Sequence, residues 1–219
     1  MKALVAGATG ETGRRIVQEL IKRQIPVKAL VRSLERGKEI LPESAELVVG
    51  DVLEPETLTN ALTDCTVLLS ATGAKPSFNP TEPYLVDYQG TKNLVDASIA
   101  QGIEHFVMVS SLCVSRFFHP LNLFWLVLVW KKQAEEYLQK SGLTYTIVRP
   151  GGLKNEDNSE PIVMSSADTL FANSIPRLKV AQICVEALHC SDARHKIVEV
   201  ITDSQATPKT WEQLFTEVS

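Results

Sequence analysis

The strongest constraint in this chain is a glycine-spaced loop, Gly7-Ala8-Thr9-Gly10-Glu11-Thr12-Gly13, between an apolar run, Lys2–Ala6, and an amphipathic stretch, Thr12–Arg23. In that stretch Ile16, Val17, Leu20 and Ile21 fall on one side, and Arg15, Gln18, Glu19 and Lys22 on the other. This is the pattern of a surface helix packed on a sheet. Glycines at a strand-to-helix turn allow a tight bend, close approach of backbone to a pyrophosphate, and helix–strand packing. The first N–H groups of the helix then face the phosphates, helped by the helix dipole. A glycine triplet alone is weak evidence. Its position after a first strand, opening a helix that leads to a second strand, is the context that a dinucleotide-binding βαβ unit requires.

Six further apolar runs follow: Pro26–Val31, Ala45–Val49, Thr66–Ser70, His105–Ser110, Tyr145–Val148 and Lys196–Ile201. Their near-continuous apolar character suits parallel strands covered on both faces. Glu54-Pro55-Glu56 opens another helix, with proline at an early position and acids near the positive end of the dipole. The expected fold is α/β, a Rossmann-type doubly wound parallel sheet. A length of 219 residues fits a single domain over residues 1–219, with residues 151–180 expected as a small C-terminal loop lobe facing a substrate or partner.

Net charge is −4 with acids and bases interspersed, which excludes the basic face that a nucleic-acid binder needs. The chain enters a strand at Lys2 and shows no apolar segment ending in a small-residue cleavage site, so no secretory signal is expected and the default location expected is cytoplasmic. Cys65, Cys113, Cys184 and Cys190 stand in apolar surroundings and read as buried free thiols. Cys184, His189 and Cys190 do not share a helical face, so no metal site is expected.

The end of the second strand chooses between cofactors. A chain that holds the ribose 2′-hydroxyl of NAD usually places Asp or Glu there. Here the run is Ala29-Leu30-Val31-Arg32-Ser33. Arg32 can present a fork of donors to a 2′-phosphate and Ser33 can add a hydroxyl, while Arg14, Arg36 and Lys38 thicken the positive field. The cofactor expected is NADP(H).

The loop, with Gly50-Asp51-Val52 after strand three and Ala71-Thr72-Gly73 after strand four, resembles the atypical short-chain dehydrogenase/reductases of the NmrA-like, NAD(P)H-binding group. The likeness runs on through Asp87-Tyr-Gln-Gly-Thr-Lys-Asn93 to Arg149-Pro-Gly-Gly152. Asn122-Leu-Phe-Trp125 and Trp130-Lys-Lys-Gln-Ala-Glu135 are most similar to a plastid branch that includes an import-translocon component and relatives linked to photosystem assembly. The resemblance implies that the cofactor is held by Gly7, Thr9, Gly10, Glu11, Thr12 and Gly13. It also implies that Asp51 bonds the adenine amino group and Val52 packs on the ring. Ala71, Thr72 and Gly73 then pass under the ribose, and Pro150, Gly151, Gly152 and Leu153 lie by the nicotinamide.

Ordinary members of that superfamily use a Tyr-x-x-x-Lys pair after strand five, with a serine at the strand end. Ser110 and Lys131 take the serine and lysine places as candidate catalytic or cofactor-contacting groups, but four residues before Lys131 stands Val127. Tyr88-Gln-Gly-Thr-Lys92 has the spacing but sits on the preceding helix, where the family has a structural Asn-x-x-Gly-Thr and this chain has Asp87; Tyr88 is read as packing. Three functions stay open. They are an NADPH-dependent reductase of a flavin, quinone or tetrapyrrole-like acceptor, a non-catalytic NADP(H) redox sensor, and an assembly or scaffold factor. A small-molecule acceptor and a protein partner are both open.

Phe117-Phe118 and Leu121 to Trp130 form an almost wholly apolar segment, too short to span a bilayer. It is expected as a helix beginning near Asn122, apolar all round, serving as core, homo-oligomer contact or peripheral membrane contact.

Overall fold

The computed structural model describes residues 1–74 and 78–218. In chain order it contains β1 (Ala3–Ala6), α1 (Glu11–Lys22), β2 (Val27–Val31), α2 (Leu34–Ile40), β3 (Glu46–Val49), α3 (Pro55–Leu62) and β4 (Val67–Ser70). A π-helical stretch, Tyr84–Gln89, runs into α4 (Gly90–Gln101), followed by β5 (His105–Val109), α5 (Val127–Lys140) and β6 (Tyr145–Pro150). The rest comprises β7 (Gly152–Lys154), β8 (Ile162–Ser166), β9 (Ser174–Pro176), α6 (Arg177–Glu186), β10 (Lys196–Thr202) and α7 (Trp211–Thr216).

The main sheet has the order β3-β2-β1-β4-β5-β6-β10-β8, and β7 pairs with β9 in a separate two-stranded ribbon. Every pairing in the main sheet is parallel except that of β10 with β8. This is the Rossmann-type sheet that the alternating runs imply. Successive strand residues serve opposite faces. Leu4, Leu68, Phe106 and Ile147 pack with Leu58, Leu62, Leu94 and Leu138 of α3, α4 and α5. Val5, Leu69, Val107 and Val148 pack with Ile16, Leu20, Val180 and Ile183 of α1 and α6. Strand order reverses between β1 and β4, which opens a crevice at their carboxyl ends.

Three expectations need correction. Glu19 is not on the solvated side of α1: it is 5% exposed and accepts from Arg23 Nε at 2.7 Å. Arg23 also pairs with Glu186 of α6 at 2.8 Å, so the helix-to-helix contact covers a position that the helical wheel leaves outside. Residues 151–180 are not simply a loop lobe, since they carry β7, β8 and β9. The helix expected near Asn122 begins at Val127; Pro120–Leu123 is a 3₁₀ turn, and Trp125 and Leu126 have φ of +55° and +59°. Of the cysteines, Cys65, Cys113 and Cys184 are buried free thiols, and burial pushes Cys184 up to about 12.

His105 gives the sheet a built-in pH dependence. Thr146 Oγ1 donates to Ala193 O at 2.7 Å, so its oxygen accepts from His105 Nε2 at 2.9 Å, which places a proton on Nε2. Burial, with the nearby charges of Arg194 and His195, lowers the His105 pKa from 6.5 to about 4. The unfolded chain therefore binds the extra proton first as pH falls. Stability is full above pH 6.5 and is lost progressively down to about pH 4, by about 3 kcal/mol in all. His105→Gln is expected to flatten the denaturation midpoint across this window; a variant with the parent's pH slope would refute the assignment.

Candidate functional site

At the end of β1 the chain turns through Gly7, whose φ of +73° is left-handed. A Cβ there would meet Ala71 O at 2.6 Å, so β1 and the end of β4 meet backbone to backbone. Gly13 is tighter still, with its Cβ position 2.1 Å from Gly7 O. The turn closes through Gly10 N donating to Gly7 O at 3.0 Å. Gly10 is the N-cap of α1 and has no side chain to satisfy the first N–H groups, which suits them to an anion.

The crevice holds a cavity of about 420 Å³. It is lined by Gly7, Thr9 and Gly10, by Arg32 and Ser33, by Asp51 and Val52, and by Ala71, Thr72 and Gly73. Ten of the expected cofactor residues, from four separate strand ends, thus share one space. Leu30, Arg36, Gly50, Leu53, Glu82 and Val86 complete the wall; Arg36 was expected in the positive field and Gly50 in the motif after strand three, and the other four were not assigned from sequence. Gly50 carried a usable signal, since a Cβ there would lie 2.8 Å from Leu30 Cδ1 and 2.9 Å from Thr57 Oγ1. Asp51 is oriented by Leu53 N, which donates to its Oδ1 at 2.9 Å.

The positive field is rearranged relative to expectation. Arg14 is held by Glu11 at 2.7 Å, and Glu11 also accepts from Arg15 at 3.0 Å. That hydrogen bond from Arg15 keeps the Glu11 carboxyl below its usual range. Lys38 lines a different groove, with Leu34, Leu41 and Leu47. Ser33 caps α2, accepting from Arg36 N at 3.3 Å, and its hydroxyl donates to Glu35 at 2.7 Å. Arg32 and Arg36 line the cavity, and neither makes an ion pair with another described residue.

Glu11, Thr12, Gly13, Ser110, Lys131 and Pro150 to Leu153 do not line this cavity. Lys131 Nζ lies 2.7 Å from Asp87 Oδ1 and 3.7 Å from the Cβ position of Gly73, so it sits beside the Gly73 turn that follows β4. Asp87 also accepts from Ala74 N at 3.2 Å. Val127 opens α5 one turn before Lys131 and packs beside Leu112 and Leu128. Tyr88 packs against Tyr84 and Trp130, with centroids 5.8 and 6.3 Å away, and Lys92 pairs with Asp96. Gly151 and Gly152 are bound through their N–H groups to Val200 O and Asn173 O, at 2.9 and 3.0 Å.

Ser110 is buried and donates to Glu135 Oε1 at 2.5 Å. Glu135 is gripped by Arg149 through Nε and Nη2, at 3.0 and 2.6 Å. Arg149 Nη1 reaches Asp168 at 3.0 Å and Glu199 at 3.4 Å. Burial opposes the guanidinium's charge, but Glu135, Asp168 and Glu199 together raise its pKa above the ordinary value. Glu199 in turn accepts from the N–H groups of Asp168, Thr169 and Leu170, at 2.9, 3.0 and 2.7 Å. This network was missed from sequence; the visible clue was one acid inside Ile197-Val198-Glu199-Val200-Ile201.

A family described as NAD(P)H-binding matches residues 7–191. The chain belongs to that family, as an atypical short-chain dehydrogenase/reductase. The chloroplastic protein At2g34460 of Arabidopsis thaliana is 44% identical, over 99% of this chain and 82% of its own length. Chloroplastic TIC 62 of Pisum sativum is 36% identical over 98% of this chain, which spans only 45% of that longer protein. Sanguinarine reductase of Eschscholzia californica is 29% identical over 100% of this chain and 96% of its own. A solved Bacillus halodurans structure, provisionally named an NAD-dependent epimerase/dehydratase, superposes with a TM-score of 0.87 at 28% identity, covering 98% of both chains. Binding of NAD(P)H is thereby a property of the family.

Gly13→Ala is expected to push the β1–α1 turn apart, at about 1–3 kcal/mol for an overpacked contact. Thermal denaturation and NADPH titration should show a lowered midpoint and lost binding together; unchanged affinity would contradict the geometry. Glu199→Gln turns an amide N–H toward backbone donors and is expected to destabilise by about 1–3 kcal/mol. Hydrogen exchange should locate the loss at the amides of Asp168, Thr169 and Leu170; protection equal to the parent's would argue against it.

Proposed function

We propose that the protein is an NADPH-dependent reductase that passes hydride to a conjugated acceptor, a flavin, quinone or linear tetrapyrrole-like molecule. The observation that carries this reading is the state of the expected acid–base groups. Ser110 is bonded to Glu135, Lys131 is paired with Asp87, and Val127 takes the place of the proton-donating tyrosine. An acceptor whose reduced form draws its proton from water needs nothing more from the chain than binding and orientation. The likeness to a protein named sanguinarine reductase supports a reductase of this kind.

In this reading Gly7, Thr9 and Gly10, with the backbone of Glu11, Thr12 and Gly13, cradle the pyrophosphate. Asp51 and Val52 take the adenine, and Ala71, Thr72, Gly73 and Lys131 border the nicotinamide ribose. Ser110 and Pro150 to Leu153 frame the ring and the acceptor. Arg32 and Arg36 take the 2′-phosphate, which makes the cofactor NADP(H) rather than NAD(H). The chloroplastic names of two relatives favour a plastid over the default cytoplasm.

NADPH should bind about tenfold to a hundredfold more tightly than NADH, the range for one charge-assisted hydrogen bond of about 1.5–3 kcal/mol. Arg32→Ala should erase most of that preference in a calorimetric titration, and equal affinities in the parent would overturn the choice of cofactor. With purified protein, loss of nicotinamide absorbance is expected with flavin, quinone or tetrapyrrole acceptors and not with simple ketones. Tyr88→Phe should leave that turnover intact. Tight NADPH binding with no turnover across the panel would overturn the reductase and favour a non-catalytic redox sensor or assembly factor.

A further inference from the structure

The loop between β5 and α5 is built inside out. Its polar groups are satisfied inward: buried Asn122 donates from Nδ2 to Phe117 O at 2.8 Å and accepts at Oδ1 from Leu128 N at 3.0 Å. Backbone bonds close the turns, Phe124 N to Leu121 O at 3.1 Å and Leu126 N to Asn122 O at 3.0 Å. The Trp130 indole donates to Trp125 O at 3.1 Å. The apolar side chains point the other way. Phe118 is 96% exposed and Leu123 84%, with Phe117 and Phe124 more than half exposed. Trp125 and Leu126 hold a left-handed backbone that apolar L-residues rarely adopt. Leu128, by contrast, is buried and belongs to the core.

A surface that ties several of its turns together internally and turns large apolar side chains outward is unfavourable in water and suited to the edge of a hydrocarbon layer. Charge decides what covers it. The chain as a whole is acidic, with 26 acids against 22 bases, yet from His105 to Ala134 it contains no Asp or Glu. Arg116 and Lys132 flank the loop, and neither makes an ion pair with a described residue. The Arg116 guanidinium stacks 3.7 Å over the half-exposed Phe171 ring, which extends the patch. A second copy presenting the same stretch would bring no acid to meet these cations. Anionic headgroups supply the missing charge, and aromatic side chains sit well at their level. Among the described residues no helix is long and apolar enough to cross a membrane, so the contact is with its surface.

We propose that residues 117–126, flanked by Arg116 and Lys132, dock this protein on an anionic lipid surface. Flotation of the full chain with phosphatidylcholine vesicles, alone or mixed equimolar with phosphatidylglycerol, tests it. The parent should float with the anionic vesicles and be released by salt. The double variant Phe118→Ser/Leu123→Ser should lose about tenfold or more in partitioning, from two apolar contacts, while its melting midpoint stays at the parent's or above. Arg116→Gln/Lys132→Gln should lose about tenfold on anionic vesicles and little on phosphatidylcholine. Three results would overturn the proposal: a parent that ignores anionic vesicles, an apolar double variant that partitions like the parent, or a concentration-dependent dimer that this variant dissolves in sedimentation. The last would assign the loop to a second copy.

Discussion

Arg149 lies fully buried on β6, and carboxylates from three distant parts of the chain converge on its guanidinium. Taking such charges out of water is costly, and their attraction compensates only when the geometry is good and the remaining lone pairs are filled. Both conditions hold here. Glu135 meets the guanidinium edge with two bonds and uses Oε1 again for the Ser110 hydroxyl. Glu199, facing mostly backbone, is neutralised by three N–H groups of one turn. What the cluster supplies is position. It fixes α5 to β6, the turn after β8 to β10, and the direction of the Ser110 hydroxyl at the end of β5, so those pieces share one register.

The other half of the crevice is organised by contact rather than charge. Between β1 and β4, Gly7 lies where any side chain would enter the Ala71 carbonyl, and Gly13 lies against the Gly7 carbonyl. The strand ends that wall the cavity are thus held at backbone distance, and the first turn of α1 is brought to the same point. A charged cluster tolerates small shifts of long side chains. A backbone-to-backbone contact of this kind does not, and this difference places the more exacting geometry at the turn between β1 and α1.

These two kinds of constraint differ in how far they can be read from sequence. Parallel strands are short apolar runs, buried in the middle of the sheet and half-buried at the β3 edge, so β1 to β6 and β10 were legible to within a residue or two. The glycine spacing of the turn is local and announces itself. The Arg149 cluster joins residues 135, 149, 168 and 199, and no local pattern connects them. β7 and β9 are three residues each, too short for alternation to show, so their segment reads as loop. The start of α5 was misplaced because an apolar run does not reveal its own backbone; the buried Asn122 amide, accepting from Leu128 N, organises the turns before it. Glu19 was misread because the wheel of a lone helix ignores α6, whose Glu186 shares Arg23 with it.

Two departures from the resembling family are linked by the same electrostatics. Where a tyrosine hydroxyl stands beside the lysine, the pair shares a proton chemistry that gives the ammonium a role and a neighbour. Here Val127 offers no polar atom, and Lys131 is left largely buried, its side chain 15% exposed. A cation at that depth requires an anion. Asp87, at a position where the family carries asparagine, provides one at 2.7 Å, with its own carboxylate further held by Ala74 N. Asp87 is thus the electrostatic complement of Lys131. The two form one ion pair beside Gly73. The pair ties α5 to the helical stretch that carries Asp87, at the edge of the crevice, and it fits the proposed reading, in which the chain orients two flat molecules and leaves the proton to water.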